Sequence, residues 1–204
     1  MLLKQKKIAV ILLSSSLALG LGSLISVQLS HASSLTPDES AIENVISQAL
    51  NSEYQMPVLS DATYASLTTL TSSPTESATA NTHVQSAIDK RNEIESQLYS
   101  GNPLTLKQEQ VQLAFKAQKN GKTRGLGGGV GNITYNQLNV EGDTAQVIAV
   151  ADVWSKFEQK SPSGGWNVYE PNNKLIINET LTKDSSGTWK ITQEQWGFVP
   201  GYGP

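Results

Sequence analysis

The stretch that decides the fold is Asp143-Thr-Ala-Gln-Val-Ile-Ala-Val-Ala-Asp-Val-Trp-Ser-Lys-Phe157. From Thr144 onward Val, Ile and Ala fall on both faces of an extended chain, the pattern of a central strand covered on each side. Glu141-Gly142-Asp143 turns the chain just before it, so a strand near 132–140 precedes it as a hairpin partner. Downstream, Ser161-Pro162-Ser163-Gly164-Gly165 reads as a loop. Residues 173–183 then alternate through Leu175, Ile177, Glu179 and Leu181, and Asp184-Ser185-Ser186-Gly187 turns the chain again. Thr188 to Phe198 returns with Trp189 and Ile191 on one face. The result is an antiparallel meander.

Upstream the reading is mixed. Val111, Leu113 and Phe115 alternate with Gln112, Ala114 and Lys116, which predicts a half-buried strand near 105–118. Asn120-Gly121 is a hairpin signal, and the six glycines of 121–131 read as a mobile hairpin loop. Earlier still, Thr36-Pro37-Asp38-Glu39 predicts a capped helix start. Ile42, Val45, Ile46, Ala49 and Leu50 then make one apolar stripe over a helix at about 37–53. A short helix is expected over 60–72, started by Ser60 or Asp61. Residues 66–82 hold ten Ser or Thr in 17 positions and read as a flexible insert. A helix over roughly 82–99 ends before Gly101 and Pro103.

The N-terminus reads as an export signal. Lys4, Lys6 and Lys7 precede an apolar run from Ile8 to about Val27, and Ser30 and Ala32 supply the small residues of a cleavage site. The alternative is an uncleaved anchor. Residues 1–32 are thus expected to be a signal peptide, 33–199 one domain, and 200–204 a Gly/Pro-rich tail. Cleavage leaves 172 residues; three lysines and no acid depart, so the net charge falls from −3 to −6. That acidity argues against nucleic acid and anionic lipid as partners, leaving membrane contact to the signal segment. The chain has no cysteine, which excludes a disulfide scaffold, a lipoprotein anchor and a cysteine-based zinc site.

Helices first and a meander after them is the α+β layout: N-terminal helices packed on a curved antiparallel sheet of about four to five strands. At this point the capped first helix, the long strand Asp143–Phe157, and the ending Lys174-Leu175-Ile176-Ile177 … Gly187-Thr188-Trp189-Lys190-Ile191-Thr192 resemble the nuclear transport factor two-like superfamily. This cystatin-like, cone-shaped fold also includes ketosteroid isomerases and polyketide cyclases. The resemblance covers roughly 36–60 and 82–199 and implies a concave sheet roofed by helices.

The chemistry is sparse. Gly121-Lys122-Thr123 imitates the end of a P-loop, but the required glycine is Lys116, and a dinucleotide pattern from Gly125 fails at Val130. His83 is the sole histidine beyond the signal segment, so no metal and no cofactor is expected. The resemblance implies one enzymatic alternative: a carboxylate base in the cone, for which Asp152 is the candidate, with Tyr135 as a donor beside it. The late aromatics offer a second kind of site. Trp154, Trp166, Trp196 and Tyr202 are candidate binding residues for a glycan or small apolar ligand. The leading expectation is an exported, non-catalytic binding domain of the bacterial envelope or extracellular space. It would engage a protein partner or such a ligand, or pair as a homodimer through an open sheet face.

Overall fold

Thr36 starts the first helix as anticipated. Its hydroxyl accepts from the Glu39 amide at 3.2 Å, and the Glu39 carboxylate accepts from the Thr36 amide at 2.7 Å. This reciprocal pair satisfies donors that a helix end leaves free. In the computed structural model, which describes residues 35–55, 57–68 and 73–203, α1 (Pro37–Tyr54) is followed by α2 (Asp61–Thr68), α3 (Pro74–Leu98) and α4 (Gly101–Lys119). Five strands complete the chain: β1 (Thr123–Glu141), β2 (Thr144–Lys160), β3 (Trp166–Tyr169), β4 (Asn172–Lys183) and β5 (Trp189–Phe198). The signal segment lies outside the described residues. No helix among the described residues is long and apolar enough to cross a membrane.

The strands form one antiparallel sheet in the order β1-β2-β4-β5, with β3 paired to the far end of β2. The expected α+β architecture is the one observed, and β2 is central. Register shifts at Gly125/Gly127, Val130/Ile133 and Tyr135/Gln137 interrupt the β1–β2 ladder; such bulges bend a strand and increase its twist. The inner face of β2 carries Ala145, Val147, Ala149, Ala151 and Val153, all buried. Leu175, Ile177, Leu181, Trp189 and Ile191 extend that surface, and Ile42, Ile46, Ala49 and Leu50 of α1 cover it. Each fully buried branched side chain contributes about 1.5–3 kcal/mol of transfer free energy. A second cluster joins Leu59 and Tyr64 to Val84, Ile88, Val111 and Phe115 of α3 and α4.

Three local expectations are corrected. First, 105–118 is helix α4. Leu104, Lys107, Val111, Phe115 and Gln118 recur at three- and four-residue spacing and pack inward, whereas Leu113, a member of the strand-like alternation, is 50% exposed. Asn120-Gly121 therefore ends this helix instead of turning a hairpin: Gly121 has φ +65°, the left-handed conformation common just past a helix C-terminus. Second, most of the Ser/Thr-rich tract is the start of α3. Ser73 and Glu76 form another capping box, and Thr79, Asn81 and Thr82 bond back to carbonyls four residues earlier. Residues 69–72 of the tract lie outside the described residues. Third, the Gly-rich run is strand, because the last turn of α1 lies against it. A Cβ on Gly128 would stand 1.9 Å from the Tyr54 carbonyl oxygen, and the Val130 amide donates to Asn51 Oδ1 at 3.2 Å.

Two further features position the sites. Beyond Trp154, β2 pairs with β1 and β3 but no longer with β4, so these three strands form an arm past the main sheet. The link between α3 and α4 lies along β5, where Tyr99 bridges to Ile191 and the Ser100 amide donates to the Ile191 carbonyl at 3.0 Å.

Candidate functional site

The sheet register separates the two residues of the enzymatic alternative. Tyr135 is paired with Ala149 and faces the helices, where its hydroxyl donates to the Glu43 carbonyl at 3.1 Å. Asp152 is paired with Lys174 on the opposite face, its carboxylate 2.9 Å from Lys174 Nζ and half exposed. Successive side chains alternate between the two faces of a strand, so residues of opposite parity cannot share a cavity here.

The acids inside the cone are others. Glu179 of β4 is paired with Glu194 of β5 and is 1% exposed. Lys107 of α4 reaches in between α1 and β5, its ammonium 2.9 Å from Glu53 and 2.8 Å from Glu194 and over the buried ring of Tyr99 at 5.3 Å. Glu95 of α3 accepts from Ser52 Oγ at 2.5 Å and from Arg91 Nε at 3.0 Å. Burial, then the charge of Glu194, holds the Glu179 carboxyl well above the usual carboxylate range, against the pull of Lys107. Glu194 is pushed up to about 6, chiefly by burial and then by Glu53. Burial works against the charge of Lys107, but Glu53 and Glu194 together outweigh it and keep the amine protonated above the ordinary lysine range. A proton shared among close carboxyls is an ingredient of acid–base chemistry. Here, though, the lysine stem and the Tyr99 ring are packed among them. Among the described residues no group of three or more acidic or histidine side chains is arranged to hold a metal ion.

The late aromatics divide into three places. Trp196 turns inward, partly buried against the core and edge-on to Phe198 at 5.7 Å. Trp154 is 41% exposed and lies over the backbone of β1: Cβ atoms on Gly127 and Gly129 would meet its indole at 3.7 and 3.6 Å. Beside it Tyr202 is 55% exposed, with Lys174 Nζ 5.5 Å from its ring centre. The tail holds this arrangement, since the Lys174 amide donates to the Tyr202 carbonyl. Trp154, Tyr202, Asn172, Asn173 and the Asp152–Lys174 pair border a shallow cleft of about 520 Å³. Trp166 stands elsewhere, on the arm, edge-on to Tyr64 of α2 at 6.2 Å.

No family model matches the chain, and no curated protein matches it. Solved structures do. The intermembrane-space region of the chloroplast protein ARC6 superposes with a TM-score of 0.50 at 13% identity, over 81% of this chain and 100% of that one. An IcmL-like type IV secretion system protein from Legionella pneumophila gives 0.43 at 14% identity, over 82% and 98%. The likeness to the ARC6 region is one of fold.

Sequence reasoning did not find the interior carboxylates. One signal was present: Glu179 occupies an apolar register in the run Leu175, Ile177, Glu179, Leu181, so a strand there places an acid on the core-facing side. Glu53, Glu95, Lys107 and Glu194 come from four other elements, and nothing local joins them.

Proposed function

We propose that the chain is an exported, non-catalytic binding domain of the bacterial envelope, built on the cone-type superfamily that its sequence resembles. The observation that carries this reading is the clamp on Lys107. Its ammonium is ion-paired with Glu53 and Glu194 and lies over the buried ring of Tyr99, so this cation is committed inside the fold. The rings left accessible are on the outside. Binding by an outer surface also suits a chain whose signal-like N-terminus sends it beyond the cytoplasm.

A second reading, a glycan-binding module, is favoured by Trp154. Glycines beneath it give the indole a flat support, and Tyr202 with Asn172 and Asn173 supplies a neighbouring ring and amide donors, a mixture suited to sugar hydroxyls and C–H faces. The test is co-sedimentation of the mature chain with purified bacterial cell walls and with insoluble neutral polysaccharides. Retention on the walls that survives Glu179→Gln and is lost on Trp154→Ala supports an outer-surface binder. Retention that follows Glu179 in place of Trp154, or no retention on any support, rejects the reading.

A further inference from the structure

The arm builds a second cleft, distinct from the Trp154 surface. It is about 570 Å³ and lies between α2, the end of α4 and the tips of β1 to β3. Three cations line it, Lys119, Arg124 and Lys160, together with Asp61, Tyr64 and Trp166. This is a local excess of positive charge in a chain whose net charge is −3. Glu158 stands opposite Arg124 in the strand register and offsets part of that excess.

Two details suggest that the cleft is built for a ligand. Arg124 Nε and the Tyr64 hydroxyl are both buried and have no hydrogen-bond partner among the described residues, although buried polar groups are normally satisfied. The guanidinium lies over the Tyr64 ring, 5.5 Å from its centre. Its ionic partner, Asp61, is on a side chain 90% exposed; a pair that open to water is weak and easily exchanged. Trp166, 41% exposed, sits at the other side in a T-shaped contact with Tyr64.

We propose that this cleft binds an acidic sugar, a saccharide ring carrying one carboxylate or phosphate. The acid group takes the place of Asp61 on Arg124, whose planar fork suits either anion. Lys119 and Lys160 add charge, and the sugar ring covers Trp166. Asp61 is then an internal competitor that occupies the arginine when the cleft is empty.

The experiment is titration of the mature chain by calorimetry, with glucuronate, glucose 6-phosphate, neutral glucose and inorganic phosphate as separate probes. Binding of either acidic sugar at least about tenfold tighter than glucose and inorganic phosphate is the expected result, and the two acidic probes distinguish carboxylate from phosphate. Arg124→Gln and Trp166→Ala should each weaken that binding about tenfold. Asp61→Asn, at an exposed position, should tighten it several-fold with the thermal midpoint little changed. Equal binding of inorganic phosphate, no binding of either acidic sugar at millimolar concentration, or an unchanged affinity in Asp61→Asn overturns the proposal. Trp154→Ala should leave these titrations unaltered, so the outcome is separable from that of the wall-binding test.

Discussion

Glu179 and Glu194 are register partners on β4 and β5, so two carboxyls stand side by side within the cone. Burial and then the charge of Glu194 hold the Glu179 carboxyl well above the usual carboxylate range, so losing its proton as the pH rises is a step that weakens the fold. Glu179→Gln folds without that step. It should be more stable than the wild type at pH 7, with the difference shrinking as the pH approaches 4.5. Urea denaturation at both pH values measures this, and a destabilised variant at pH 7 contradicts it.

The same pair gives the wild type an unusual pH profile. Glu194 has a folded-state pKa of about 6, above its unfolded value, so its contribution is fully present below about 4.5 and lost as the pH rises through 6. At roughly 1.5 units this is on the order of 2 kcal/mol. Asp38, held low chiefly by the hydrogen bond from Lys183, acts in the opposite sense and loses its contribution on acidification, as do Glu76 and Asp184. Stability should therefore peak near pH 4.5 and fall as the pH rises through 6. Unfolding midpoints in a buffer series would show it; a maximum above pH 7 would count against the placement of Glu194.

Removing Lys107 strands two acids. Lys107→Met leaves Glu53 and Glu194 without their shared cation and should cost about 3–5 kcal/mol. Adding Glu194→Gln to that variant should restore part of the loss, and a double-mutant cycle by chemical denaturation reads the coupling.

Gly128 and Gly131 should respond differently to the same change. Gly128→Ala drives a methyl into the Tyr54 carbonyl, so α1 or β1 must move; a cost of about 2 kcal/mol or more is expected. Gly131→Ala meets only ordinary contacts at 3.6 Å and should shift the thermal midpoint little. Equal effects would deny the close approach of α1 to β1.

Ser73→Ala removes the cap of α3 and should cost about 1 kcal/mol. Amide exchange over residues 74–82 should accelerate before that of the sheet does.

The elements legible in the sequence are those whose buried residues are also apolar. α1, β2 and β5 show clean stripes or alternation because Ile42, Ile46, Val147 and Ile191 face the core among apolar neighbours, and β4 does the same through Leu175, Ile177 and Leu181 with Glu179 as its one buried acid. α4 hides its helical stripe because two of its most buried residues are Lys107 and Gln118, which pattern rules place outside. Gln118 is there to bond the Pro57 carbonyl and the Gly125 amide, a role visible only once distant segments meet. α3 hides its start because its capping residues are the same Ser and Glu that flexible segments favour. The Gly-rich part of β1 has no side chains with which to alternate. Of the candidate site residues, Asp152 and Trp154 fall where the strand parity puts them, on the outer face. The interior acids depend on five elements converging, and a linear pattern holds no record of that.

The Tyr99–Ser100 link has a consequence for how the molecule behaves in company. β5 is the last strand of the sheet, the kind of open margin that recruits stray chains into fibrils. With the Ser100 amide already seated on Ile191, an incoming strand would first have to evict this stitch between two helices. The fold carries its own hem there.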